Sequence, residues 1–142
     1  MTARSADAPA AEALVGTWAL TRSVRDGDRS GTVAGAMVIS PAPQGLRWRE
    51  QGTLTMGALV VPVTRTSYLT EIAGEPWMTF EDGRPFHPWR PGEQVVHPCG
   101  EDVYVGRVAV ADDEIATVWR VTGPGKDQLL TTRLRRVPEA ST

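Results

Sequence analysis

Turn residues punctuate this chain at intervals of roughly 8–12 residues, a spacing that admits short strands and little else. The breaks are Asp26-Gly27-Asp28, Pro41-Ala42-Pro43-Gln44-Gly45, Gly52, Gly57, Asp82-Gly83, Ala111-Asp112-Asp113 and Gly123-Pro124-Gly125-Lys126. Each supplies Gly, Pro or Asp, the residues that turn a backbone at low cost. Between them, residues 14–24, 32–40, 46–51, 53–56, 60–70, 77–80, 94–99, 103–110, 114–122 and 128–137 alternate apolar with polar or run β-branched, so about ten strands are expected. Segment 85–92 carries three prolines and reads as a loop, and Pro62 marks a strand start or an edge. Only residues 7–15 have helical character, with Asp7 placed to cap a short helix and Pro9 tolerated in its first turn.

Nearly every connection is hairpin-like, which favours an up-and-down meander. A sheet of short antiparallel strands must manage its two edges, and closing it removes them. The expected fold is therefore all-β: a closed antiparallel up-and-down β-barrel of about 8–10 strands, with room inside for side chains and one modest ligand. It would span residues 13–137, after a disordered lead over 1–12 and before a tail over 138–142.

The chain has 142 residues, enough for one domain that buries roughly 70% of its unfolded surface. Its net charge of −2 argues against nucleic acid or an anionic membrane as partner, since both call for a basic face. No apolar run is long enough to span a bilayer, and residues 1–12 lack the apolar core of a signal peptide. Cys99 is the single cysteine, so no internal disulfide forms, in keeping with a reducing compartment. These features together read as a cytoplasmic protein, monomer or homodimer, whose partner is a small-molecule ligand.

Gly16-Thr17-Trp18 opens the first strand. The glycine lets the chain enter the barrel floor closely and the tryptophan plugs it. A large aromatic there invites a capping cation, and Arg135 on the last strand is the expected one, ahead of Arg133 and Arg136. Gly-x-Trp with a late arginine resembles the lipocalin or calycin signature. A wider pattern is similar to a largely actinobacterial family of uncharacterised calycin-like proteins. Its carriers are Gly16-Thr17-Trp18-Ala19-Leu20, the stretch from Gly45 to Gly52, Phe80-Glu81-Asp82-Gly83-Arg84-Pro85-Phe86-His87, His97-Pro98-Cys99-Gly100-Glu101-Asp102-Val103-Tyr104 and the stretch from Val121 to Asp127. The resemblance covers residues 14–136 and implies a calycin-type barrel without implying an activity. Trp48 departs from it, standing where that family has a tyrosine before Arg-Glu.

Polar chemistry concentrates between Phe80 and Arg107, where both histidines of the chain lie. In one reading His87 or His97 is an acid/base group, Asp82 or Asp102 orients it, and Tyr104 and Arg107 polarise a carbonyl, giving a cyclase, isomerase or hydrolase. In the other, Asp82-Gly83 is a turn, Arg84 pairs with Asp102, and His97 is a satisfied structural histidine. His87, His97 and Cys99 are ligand types for zinc, but their spacing matches no closed site, and no histidine follows His97 to hold a haem; no metal and no cofactor are expected. The cavity wall is the second candidate region. Trp48 and Glu50 share strand parity with Leu46, and with Tyr68, Phe80 and Trp119 they would line an amphipathic pocket. The leading expectation is a barrel that binds a hydrophobic or amphipathic metabolite, with a catalytic barrel second and a structural or protein-binding domain third.

Overall fold

A computed structural model describes residues 11–139. After a 3₁₀ turn at Ala11–Leu14 come ten strands: β1 (Gly16–Asp26), β2 (Arg29–Ala42), β3 (Gly45–Met56), β4 (Leu59–Ile72), β5 (Glu75–Phe80), β6 (Pro85–Pro88), β7 (Gln94–Cys99), β8 (Asp102–Val110), β9 (Glu114–Gly123) and β10 (Lys126–Arg136). They form one antiparallel sheet in the order β6-β5-β4-β3-β2-β1-β10-β9-β8-β7. Each strand pairs with its sequence neighbour, and β1 pairs with β10 from Trp18↔Arg136 to Asp26↔Gln128. The sheet thus curls into an up-and-down barrel of the calycin/lipocalin type. Its one seam without a hydrogen-bonded ladder lies between β6 and β7.

The partition of strands differs from expectation in two places. Gly52 does not break the chain: it pairs with Gly35 and Val63 inside one continuous β3. A Cβ on Gly35 would run into the Gln51 carbonyl, so this glycine pair is where two long strands approach and bend. Conversely, the proline-rich stretch expected as a loop supplies β6, which is short because Pro85 and Pro88 have no N–H to donate. Pro62 sits within β4, yet β5 pairs with β4 only from Ser67 to Ile72, so at Pro62 one side of the strand is an edge. Of the expected helix over 7–15, residues 11–14 form the 3₁₀ turn, while 7–10 lie outside the described residues, as do most of the expected lead and the end of the tail.

Alternation puts Trp18 and Leu20 of β1, Ile39 of β2, Ile115 of β9 and Leu134 of β10 on the inner face, all but completely buried. They fill the end of the barrel where β1 begins. Trp18 is 0% exposed and its indole N–H donates to the Leu14 carbonyl at 3.0 Å. Arg136, not Arg135, caps it, with its guanidinium carbon 4.3 Å from the ring centroid. Register explains the correction: Arg136 is paired with Trp18 and shares its inner face, whereas Arg135 points outward to Glu114. Arg136 also donates to the carbonyls of Ala13 (2.6 Å) and Val15 (3.1 Å), tying the 3₁₀ turn across the floor. Gly16 has φ +146°, a conformation that favours glycine, and a Cβ there would stand 3.0 Å from the Arg136 guanidinium and crowd it.

Candidate functional site

The opposite half of the barrel is not filled in this way. Leu54 and Met56 of β3, Val61 and Val63 of β4 and Leu130 of β10 face inward by register, yet all are only half-buried. Solvent therefore reaches part of the upper interior along β3, β4 and β10, whereas Val33 of β2 and Val121 of β9 face inward there and are buried.

Aromatic side chains close the β6–β7 seam along one wall of this space. The β5–β6 register slips between Met78 and Thr79: Met78 pairs with His87 and Thr79 with Pro85, leaving Phe86 as the extra residue. Such a bulge re-aims side chains, and here Phe86 and His87 both reach Trp119, at centroid distances of 5.0 and 4.9 Å. Phe86 further meets Phe80 (5.0 Å, stacked), His97 (5.3 Å, edge-on) and Tyr104 (5.7 Å, edge-on). Each such pair contributes roughly 0.5–1.5 kcal/mol beyond area burial, which offsets part of what the missing ladder would have supplied. Gly106, paired with Trp119, makes room for the indole: a Cβ there would occupy the ring.

His87 is 4% exposed, and its Nδ1 lies 2.8 Å from the Pro88 carbonyl, a contact that requires Nδ1 to carry the proton. Burial pulls its pKa below the ordinary value, the Pro88 hydrogen bond opposes that, and the His97 charge adds to it. The ring is neutral at neutral pH, with Nε2 left as the lone-pair nitrogen.

A charged group spans the middle of the interior. Arg22 of β1 grips Glu50 of β3 with two bonds of 2.8 Å and donates to Thr132 of β10 at 2.7 Å. Arg65 of β4, paired in register with Glu50, reaches the same carboxylate at only 3.4 Å. Glu50 has a side chain 4% exposed, and burial alone would raise its pKa; hydrogen bonds and charge from Arg22, helped by Arg65, hold it below the ordinary carboxylate range. Arg65 is crowded enough by protein that desolvation lowers its pKa most, with Glu50 opposing and Arg22 adding to the drop, yet 58% of its side chain stays reachable by water.

The expected site residues divide accordingly. His87, His97, Tyr104, Phe80 and Trp119 come together at the seam, and Glu50 and Trp48 line the interior. Trp48 packs edge-on against Trp89 at 5.6 Å, and its buried indole N–H has no acceptor among the described residues. Tyr68 faces the other side of the sheet, paired with Arg47 and Thr79, because Thr64, Thr66 and Tyr68 share the outer parity. Arg107 is also outside and donates to the Gly92 carbonyl at 2.6 Å. Asp82 is an exposed turn residue whose carboxylate accepts from the Arg84 backbone N–H (3.0 Å) and Nε (2.8 Å). Asp102 pairs at the rim with Lys126 at 3.3 Å, so the expected Arg84–Asp102 pair does not form. Among the described residues, no hydrogen bond joins either histidine to a carboxylate, and no three His, Cys, Asp or Glu side chains converge as a metal site requires. A recess of about 570 Å³ on the plugged end is lined by residues 111–114, Arg135 and Arg136 and lies apart from these groups.

Arg22, Arg65 and Phe86 were not among the expected site residues. Parity marks the two arginines: each occupies an inward position in an apolar stripe, Arg22 after Trp18 and Leu20, Arg65 after Val61 and Val63. Phe86 carries no such mark, because a bulge inverts the alternation that would have placed it.

A family model matches residues 14–136, which is nearly the entire barrel. The chain belongs to the DUF6314 family, a family of unknown function. No curated protein matches this DUF6314 sequence. Among solved structures, the DUF6314 barrel is similar to the S-type phycobiliprotein lyase CPES from Guillardia theta, with TM-score 0.68 and 11% identity over 92% of each chain. It is also similar to a DUF3598-family protein of unknown function from Nostoc punctiforme, with TM-score 0.56 and 13% identity over 91% of this chain and 49% of that one. These likenesses establish the shared barrel fold. No helix among the described residues is long and apolar enough to cross a membrane.

Proposed function

We propose that this protein is a small-molecule-binding barrel that holds a hydrophobic or amphipathic metabolite in its interior. The carrying observation is the unequal filling of the barrel. One end is packed solid around Trp18, whereas apolar residues of the other half face inward and remain half-buried beside a wall of aromatic rings. Apolar surface left inside a closed fold gains about 25 cal/mol per Å² when a ligand covers it. A hollow lined mainly by apolar and aromatic groups, with a few fixed polar ones, is the usual form of a ligand site. The likeness to the phycobiliprotein lyase concerns the fold, and the proposal rests on the interior instead.

Binding is favoured over acid–base catalysis because neither histidine has a carboxylate to orient it, and His87 spends its Nδ1 proton on a backbone carbonyl. Titration with N-phenylnaphthylamine, an uncharged fluorescent probe, tests the reading. Saturable one-to-one binding with energy transfer from tryptophan is expected, and it should be lost in Ser67→Trp, which fills the interior beside Trp48. No saturable binding, or binding indifferent to that substitution, overturns the proposal.

A further inference from the structure

Charge within the barrel is unbalanced. In its middle, two guanidinium groups, Arg22 and Arg65, face one carboxylate, Glu50. Arg22 takes both oxygens of Glu50 in the bidentate geometry that satisfies a carboxylate best, and gives its Nε–H to Thr132. Arg65 is left with a single long contact of 3.4 Å to an oxygen already engaged. A guanidinium carries five N–H donors, so most of those on Arg65 have no protein acceptor among the described residues. With 58% of the Arg65 side chain reachable by water, those donors are hydrated and open to an incoming acceptor.

The position of Arg65 suggests what that acceptor is. It lies on the inner face between Val63 and Ser67, and across the barrel Tyr104 and Trp119 face inward from β8 and β9 by register. Tyr104 in turn touches Phe86, which stacks on Trp119. The aromatic residues and the inward-facing, water-reachable Arg65 thus look onto the same interior. Further along the inner face of β3 from Glu50, the buried Trp48 N–H lacks an acceptor too.

We propose that the ligand is an organic anion, an aromatic or otherwise apolar body bearing one carboxylate-like group, and that Arg65 binds that group while Arg22 and Glu50 hold Arg65 in place. This rests on the binding reading above and narrows it to a chemical class. The Arg22–Glu50 pair is internally neutral, so it orients without competing for the anion. Arg65 supplies the net positive charge and, being reachable by water, can exchange solvent for ligand. The aromatic seam covers the apolar body.

Two probes that differ in one charged group separate the two claims. Anilinonaphthalene sulfonate carries an anion that N-phenylnaphthylamine lacks, and both fluoresce when sheltered from water. Wild type should bind the sulfonate more tightly than the uncharged probe. Arg65→Gln should weaken the sulfonate by about ten-fold or more while leaving the uncharged probe within about two-fold, and Arg65→Lys should restore part of the loss. Arg47→Gln, on the outer face of the same sheet, should change neither. If Arg65→Gln leaves sulfonate binding intact, or weakens both probes alike, Arg65 does not read an anion and the inference falls, although the binding barrel stands. If wild type binds neither probe, the binding reading falls and takes this inference with it.

Discussion

At the scale of single residues, one step in sequence separates Arg136 from Arg135 and puts them on opposite faces of β10. Arg136 lies over Trp18 and donates to two carbonyls of the floor, whereas Arg135 has an exposed side chain 3.7 Å from Glu114. Arg136→Ala should therefore cost about 2 kcal/mol, combining a lost cation–π contact with unpaired carbonyls, while Arg135→Ala stays within about 0.5 kcal/mol. Urea unfolding of the two variants checks the contrast, and equal losses would mean the floor is not capped in this way. A second residue-scale consequence follows from the two depressed pKa values. His87 titrates below its ordinary value when folded, so just below about pH 6.5 the unfolded chain binds more protons and stability falls as pH drops. Glu50 is also held below its ordinary value. Its contribution is complete above about pH 4.5 and is lost as pH falls through its folded value. Stability should thus decline first as pH falls below about 6.5, at no more than about 1.4 kcal/mol per pH unit from His87, and then again in the carboxylate range. Unfolding curves of wild type and His87→Gln across both declines separate the contributions: the first decline should shrink in the variant and the second should persist.

At the scale of elements, alternation carried most of the information. The hairpins at Asp26-Gly27-Asp28 and Ala111-Asp112-Asp113 follow from turn chemistry, and the inner faces of β1, β9 and β10 follow from period-two burial. Gly52 misleads because the same residue that ends strands elsewhere is here required by close approach to β2. The proline-rich stretch misleads in the opposite sense, since prolines shorten β6 without abolishing it. Tyr68 shows a third kind of ambiguity. Its parity with Thr64 and Thr66 is readable, but which parity faces inward depends on the pairing of Glu50 with Arg65, and that is tertiary information. The β4–β5 turn carries its own test. Ala73 has φ +52° beside Gly74 at φ +84°, a two-residue turn that prefers Asn or Gly where it places alanine. Ala73→Asn should raise stability by about 0.5–1 kcal/mol, read as a higher urea midpoint with unchanged slope. A drop would show that the turn gains from its alanine.

At the scale of the whole molecule, the barrel has one solid end and one open end, and each follows from a different part of the chain. Gly16-Thr17-Trp18 with Arg136 makes the floor. The interior receives a charged group at its middle from β1, β3 and β4 and an aromatic wall from β5 to β9, elements far apart in sequence that only closure brings together. That is why the floor was legible in a short motif while the interior was not. Four of the five indoles report on this division directly. Trp119 and Trp48 face the interior, Trp18 lies in the floor, and Trp77 pairs with Thr70 on the outer face. Following the indole N–H resonances of ¹⁵N-labelled protein during titration with anilinonaphthalene sulfonate measures where a ligand goes. Saturable shifts are expected at Trp119 and Trp48, with Trp18 and Trp77 unmoved. Shifts confined to Trp77, or no saturable shift at any indole, would contradict an interior binding site.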